Sequence, residues 1–203
     1  MKTEIFTKIE NATITIIKSR SQGILVRNQI ILTAAHCVNY RLKGEMVLPP
    51  QNYFIEEIKT QFGNLKVSPL CIELTKDIAA LGTVDDPELY DDLERFNEFC
   101  SNTLPIKICR NKLEADKRYK IFIYSHEKKW ISGYAKLYFP ESPMLLLEVD
   151  KPIKKGASGS GVINEKGEII GIVSWTGEKD LISGASRPLL ALPVWMCRNI
   201  YRH

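Results

Sequence analysis

The segment K-K-G-A-S-G-S-G-V, Lys154 to Val162, places two serines and three glycines within the six positions Gly156 to Gly161. By itself such a cluster reads as a turn or linker. A serine there could instead be a nucleophile, provided that a base lies within hydrogen-bond reach and a third group orients that base. Histidine is the usual base, and the chain holds three: His36, His126 and His203. His203 is the last residue, where fraying is expected, and His126, in Y-S-H-E-K-K, reads as the solvated histidine of a polar turn. His36 ends the apolar run I-I-L-T-A-A-H-C, so its ring should emerge at the end of a buried strand, as a structural histidine or as the base. Among eight aspartates only Asp77, in K-D-I-A-A-L-G, leads directly into an apolar run. Its carboxylate is either an exposed strand-end group or one drawn inward, which is costly unless it is paired and hydrogen-bonded.

Order narrows the choice. His36, Asp77 and Ser158 run His–Asp–Ser with gaps of 41 and 81 residues. No aspartate precedes His36, which removes the subtilisin order, and Ser160 two positions after Ser158 removes the G-x-S-x-G elbow of α/β-hydrolases. L-T-A-A-H-C (Leu32 to Cys37), D-I-A-A-L (Asp77 to Leu81), G-A-S-G-S-G (Gly156 to Gly161) and the pair Ser174-Trp175 resemble the motifs of trypsin/chymotrypsin-like serine proteases. The likeness covers about residues 10 to 200. From Leu145 to Ile172 the chain is most similar to bacterial high-temperature-requirement proteases and staphylococcal glutamyl endopeptidases.

The resemblance implies a serine endopeptidase that hydrolyses protein or peptide substrates through an acyl-enzyme. Ser158 would be the nucleophile, His36 the general base and acid, and Asp77 the anchor of the imidazole. The backbone N–H groups of Gly156 and Ser158 would form the oxyanion hole, while Ser160 is packing. Ser174, Trp175 and Thr176 would present backbone to an extended substrate strand. Pro152 stands where trypsin has its acidic pocket residue, and Val173 where glutamyl endopeptidases have a histidine. Leu190-Ala191-Leu192 would form the pocket wall, with Thr176 narrowing the mouth; Pro152 and Ala191 thus suggest a small-to-medium apolar side chain at the cleaved position. Ala157 replaces the aspartate that pairs with a new N-terminus in zymogen-activated members, so that route of activation is not expected. Control by a loop, with Asp180 to Arg187 the suspect, by a regulatory protein partner or by another domain is expected instead. The rival reading is a non-catalytic trypsin-fold module that binds a peptide or protein without cutting it.

These residues need a frame. Ala12–Ile17, Gly23–Val26, Gln29–Thr33, Asn52–Ile58, Tyr119–Tyr124, Trp130–Phe139, Met144–Val149, Gly161–Asn164 and Ile169–Trp175 read as short strands rich in β-branched and aromatic residues. N-E-K-G-E, Asn164 to Glu168, reads as a hairpin turn. Asp85-Asp86-Pro87 followed by Leu89, Leu93, Phe96 and Cys100 predicts a capped helix of three to four turns, and Pro193 to Tyr201 a terminal amphipathic helix. The expected fold is all-β: two six-stranded antiparallel β-barrels of chymotrypsin type, with a short interbarrel helix and a C-terminal helix. The first barrel, residues 1–105, would carry His36 and Asp77; the second, residues 106–203, Ser158 and the substrate cleft.

Composition bounds the setting. The 203 residues are 44% apolar and 26% charged, ordinary values for a globular chain. No apolar run is long enough to span a bilayer, and the N-terminus lacks the apolar core of a secretory signal. Five scattered cysteines without a C-x-x-C suit a reducing compartment, so a cytoplasmic setting is expected, the resemblance implies a bacterial one, and no paired ligands suggest a metal or cofactor. A net charge of +4 without aromatic-basic interleaving gives no reason to expect nucleic acid, and no membrane partner is expected.

Overall fold

A computed structural model describes residues 2–38, 55–73, 77–83, 87–138, 144–175 and 190–193. Helix α1 (Lys2–Ala12) precedes strands β1 (Thr13–Ile16), β2 (Ser21–Val26), β3 (Ile30–Thr33), β4 (Glu56–Thr60), β5 (Gly63–Glu73) and β6 (Ile78–Gly82). Helix α2 (Tyr90–Asn102) follows, then β7 (Tyr119–Tyr124), β8 (Trp130–Leu137), β9 (Leu145–Val149), β10 (Gly161–Asn164), β11 (Ile169–Trp175) and β12 (Leu190–Pro193). The first six strands close into a barrel in the order β1-β2-β3-β6-β5-β4 and the last six in the order β10-β11-β12-β9-β8-β7, every pair antiparallel. In the second sheet the join between β12 and β9 is thin, resting on Leu190↔Leu146 and Ala191↔Leu145. The architecture is all-β, as expected, with two α-helices among the described residues: α2 is the anticipated interbarrel helix, α1 was not anticipated, and the anticipated C-terminal helix lies outside the described residues.

Burial follows the residue pattern. In β1, T-I-T-I alternates and only Ile14 and Ile16 face the core. β2, β3 and β6 are buried on both faces, because the second half of the chain packs against the outside of the first barrel here. The turn Asn164 to Glu168 joins β10 to β11 as expected: Asn164 Oδ1 accepts from Lys166 and Glu168 N–H, and Gly167 takes φ +76°.

Several elements were not read from the sequence, α1 and β5 among them. α1 sets Ile9 in the core, stacks Phe6 on Trp130 at 4.3 Å between ring centres, and lets Glu10 accept a 2.7 Å hydrogen bond from Trp130 Nε1. It thus rests on the second barrel while running directly into β1 of the first. β5 alternates only as far as Pro69, where its register against β6 shifts. The expected interbarrel helix is α2, begun by a tight turn at Pro87–Leu89; Phe96 and Phe99 are buried and Asp92 Oδ1 accepts from Lys66 N–H of β5. The expected capping aspartates Asp85 and Asp86 lie outside the described residues, and the N-cap position of α2 is Leu89, which makes no side-chain cap. The chain then passes from barrel to barrel: Ile106 N–H donates to Leu25 O at 3.0 Å, and Cys109 N–H to Ile169 O at 2.8 Å.

Replacing Ile9 by Ala removes the side chain of α1 that reaches the core, and should cost about 2–5 kcal/mol. Chemical denaturation should show a lower midpoint at unchanged slope. An unchanged midpoint would mean that α1 contributes nothing to the fold.

Candidate active site

The pairing of β3 with β6 brings two distant residues together. Their register, Thr33↔Ala79 and Leu32↔Ala80, sets the exit of β3 beside the entry of β6. His36, in the tight turn Ala35–Cys37, therefore meets Asp77, 41 positions later. Asp77 adopts φ +52°, a left-handed conformation that aspartate tolerates better than most residues. In that conformation its carbonyl accepts from Ala35 N–H at 3.1 Å, Oδ1 from His36 N–H at 2.9 Å, and Oδ2 lies 2.8 Å from His36 Nδ1. One carboxylate thus holds both the backbone and the ring of His36.

A third group was assigned elsewhere. Ser174 reads from sequence as substrate-strand backbone, yet its hydroxyl donates to Asp77 Oδ2. Alternation along β11 explains this: Val173 points into the second barrel, so Ser174 points out toward the first. Burial alone would raise the Asp77 carboxyl. Hydrogen bonds from the His36 ring, the Ser174 hydroxyl and the His36 N–H outweigh that and hold it below its ordinary range. Conversely the Asp77 hydrogen bond, above all, raises His36 above the value of a free histidine, against the effect of burial.

The serine loop has an orderly hydrogen-bond pattern. Ala157 N–H donates to Lys154 O, Gly159 N–H to Val173 O, and Ser160 N–H to Ala157 O. Between them, the N–H groups of Gly156 and Ser158 donate to no acceptor among the described residues. Gly156 takes φ +97°, and a Cβ there would lie 2.9 Å from Arg20 O and 3.3 Å from the His126 ring. Ser158 is half-buried and its Oγ makes no hydrogen bond to a described residue; the structure brings His36, Asp77 and Ser174 into one bonded group and leaves Ser158 Oγ unbonded to it. Ala157 is fully buried.

The remaining expected residues are less informative. Pro152 is exposed, Trp175 and Ala191 are described in backbone only, paired as Trp175↔Leu190 and Val173↔Ala191, and Thr176 and His203 lie outside the described residues. His126 is a correction. Instead of standing in solvent, its ring packs beside Gly156 and its Nδ1 is buried without a partner among the described residues. The turn carrying it is folded against the serine loop, where Glu127 pairs with Lys154 at 2.7 Å. Among the described residues no group of acidic, histidine or cysteine side chains could hold a metal ion.

By sequence the chain matches no protein-family model and no curated protein. By structure it is similar to the Rv3671c protease in an inactive form, with a TM-score of 0.58 at 13% identity, over 95% of this chain and 88% of that one. It is likewise similar to Rv3671c from M. tuberculosis H37Rv carrying a serine-to-alanine substitution, also in an inactive form, with a TM-score of 0.59 at 12% identity over 96% and 87% of the two chains. The fold is that of a trypsin-like serine protease.

The His36–Asp77 pair makes stability depend on pH with a definite sign. A raised His36 value means a contribution that is complete below pH 6.5 and lost as the pH rises through the raised value. A lowered Asp77 value means one present above pH 3.8 and lost as the pH falls through the lowered value. The pair should therefore contribute fully between those limits. Proton NMR of the imidazole should place His36 above 6.5 and show Asp77→Asn lowering it. An unmoved titration in that variant would contradict the coupling.

Proposed function

We propose that the chain is a serine endopeptidase acting on protein or peptide substrates. The observation that carries this reading is the serine loop, in which, between Gly156 and Ser160, only the N–H groups of Gly156 and Ser158 lack an acceptor among the described residues. Both residues are half-buried, and two unengaged donors on either side of Ala157 are the arrangement that an oxyanion hole requires.

In the proposed mechanism, with the His36 ring in its neutral form, Ser158 Oγ attacks the scissile carbonyl while His36 Nε2 takes its proton. Nδ1 of the same ring remains bonded to Asp77, which stabilises the imidazolium as it forms. The oxygen that gains charge accepts from Gly156 and Ser158 N–H; losing one such donor typically costs about 3–4 kcal/mol of transition-state stabilisation. The imidazolium then protonates the leaving amine, and water, deprotonated by His36, releases the acyl group and restores Ser158. The Ser158–His36 hydrogen bond is made as substrate seats, since such contacts commonly tighten only in the bound complex. Ser174 holds Asp77 while the backbone of β11 presents an edge to the substrate.

The specificity we propose is a small-to-medium apolar side chain at the cleaved position, because neither an acid at Pro152 nor a histidine at Val173 is available to read a charge. Within the fold class we propose a kinship with the high-temperature-requirement and glutamyl-endopeptidase types, a reading supported by the resemblance of the segment Leu145 to Ile172. Ala157 offers no carboxylate to a new N-terminus, so we propose control by a loop or a protein partner.

A fluorophosphonate probe should label the wild-type chain on Ser158, and Ser158→Ala and His36→Ala should abolish the label. Peptide hydrolysis by Ser158→Ala should fall on the order of a million-fold. Absence of label on the wild type would favour a non-catalytic peptide-binding module, and a label that survives Ser158→Ala would remove Ser158 as the nucleophile.

A further inference from the structure

Catalysis between two barrels demands that something fix the nucleophile of one against the base of the other. Gln22 of β2 occupies that position. It is buried, 2% exposed, between Ser160 of the serine loop and Thr33 of β3, themselves 1% and 0% exposed. Four contacts converge on it. Its N–H donates to the carbonyl of Ser158 at 2.9 Å. Its Oε1 accepts from Ser160 Oγ at 2.6 Å, 138 residues away in sequence. Its carbonyl accepts from Thr33 Oγ1 at 2.6 Å. That carbonyl also lies so close to Gly159 that a Cβ there would sit 1.8 Å from Gln22 O and 2.4 Å from Thr33 Oγ1.

We propose that Gln22 is a positioning residue that sets the distance and angle between Ser158 and His36. The path is short. Ser158 is bonded to Gln22, Gln22 to Thr33, and Thr33 lies three residues before His36 on the same strand exit. On its far side the loop is tied to its own barrel, where Gly159 N–H donates to Val173 O at 2.7 Å and Val173 N–H to Ser160 O at 2.8 Å. The backbone bonds on both sides hold the loop along β11 and β2. The Ser160–Gln22 side-chain bond then fixes how far the loop leans toward the first barrel. Ser160 thereby acquires a role beyond filling space: its hydroxyl is the loop's side-chain hold on the first barrel. A misplacement of about 1 Å in a reacting group can cost on the order of a hundred-fold in rate. Gln22 has no hydrogen bond to the reacting side-chain groups, and its effect passes through the placement of the serine loop against β3.

This inference rests on the hydrolytic reading, and the experiment separates the two. Fluorophosphonate labelling rates and thermal midpoints are measured on full-length wild type and on Gln22→Met, Gln22→Glu, Ser160→Ala and Gln22→Met/Ser160→Ala. Methionine keeps the volume of Gln22 and removes the acceptor. Labelling of Gln22→Met should slow on the order of ten- to a hundred-fold per folded molecule, with the pH midpoint of labelling unchanged because the His36–Asp77 pair is untouched. Gln22→Glu, which keeps an acceptor oxygen in place, should recover most of the rate. Ser160→Ala should slow labelling similarly, and the double variant should be no slower than Gln22→Met, since one bond is lost in each case. Wild-type labelling with an undiminished rate in Gln22→Met overturns the positioning role and leaves the hydrolase reading standing. The role is equally overturned by effects of Gln22→Met and Ser160→Ala that multiply, or by a lower thermal midpoint at constant rate. An unlabelled wild type overturns the hydrolase reading, and this inference with it.

Discussion

The proposed base and nucleophile stand on different barrels, and the bonding along the seam between them governs everything else at the site. His36 and Asp77 meet because β3 and β6 are neighbours in the first barrel. Ser158 is presented by the second, on the loop entering β10, and reaches the seam only where Gln22 receives it. Ser174 bonds across the same seam from β11 to Asp77. A relative shift of the barrels would therefore disturb the carboxylate, the imidazole and the serine loop together. Three supports oppose it: α1 lies on the second barrel and runs into the first, the crossing segment bonds Leu25 and then Ile169, and the Gln22 group closes the middle.

The seam is polar where a hydrophobic one would be simpler. A buried polar group left without a partner costs about 1–3 kcal/mol, so a contact built from Gln22, Thr33 and Ser160 is tolerable only with its hydrogen bonds made. That requirement brings directionality, which apolar packing lacks. Leucine at those positions could fill space in several ways, whereas the Ser160–Gln22 and Thr33–Gln22 bonds admit one arrangement. Gly159 belongs to the same constraint, because any side chain would strike the Gln22 carbonyl. Within this frame the donors of Gly156 and Ser158 have no acceptor among the described residues, while Ala157, Gly159 and Ser160 N–H are bonded.

Much of this was legible in the sequence, for identifiable reasons. β2, β3, β7, β8 and β11 announce themselves through β-branched and aromatic runs, and the His36–Asp77 pair through order and motif. α1 was missed because its apolar positions Ile5, Phe6 and Ile9 are sparse and its stability comes from tertiary contact with Trp130 and the core. β5 was missed because Lys66, Ser68 and Pro69 depress strand propensity and its register shift breaks the period of two. Gln22 in S-R-S-Q-G reads as turn chemistry, and nothing local indicates a partner 138 residues downstream. His126 was misjudged for the same reason: its neighbours in sequence are polar, and its neighbour in space is Gly156.

The central claim is that Gly156 and Ser158 N–H, Ser158 Oγ and the His36–Asp77 pair form one hydrolytic centre. A crystal structure of the chain with a peptide boronic acid tests it most directly. The account predicts a covalent bond from Ser158 Oγ to boron and one boronate oxygen within hydrogen-bond distance of both N–H groups. It also predicts His36 Nε2 facing the adduct while Nδ1 keeps Asp77. A boronate bonded elsewhere, or held without a bond to Ser158 while both N–H groups point away, would contradict it.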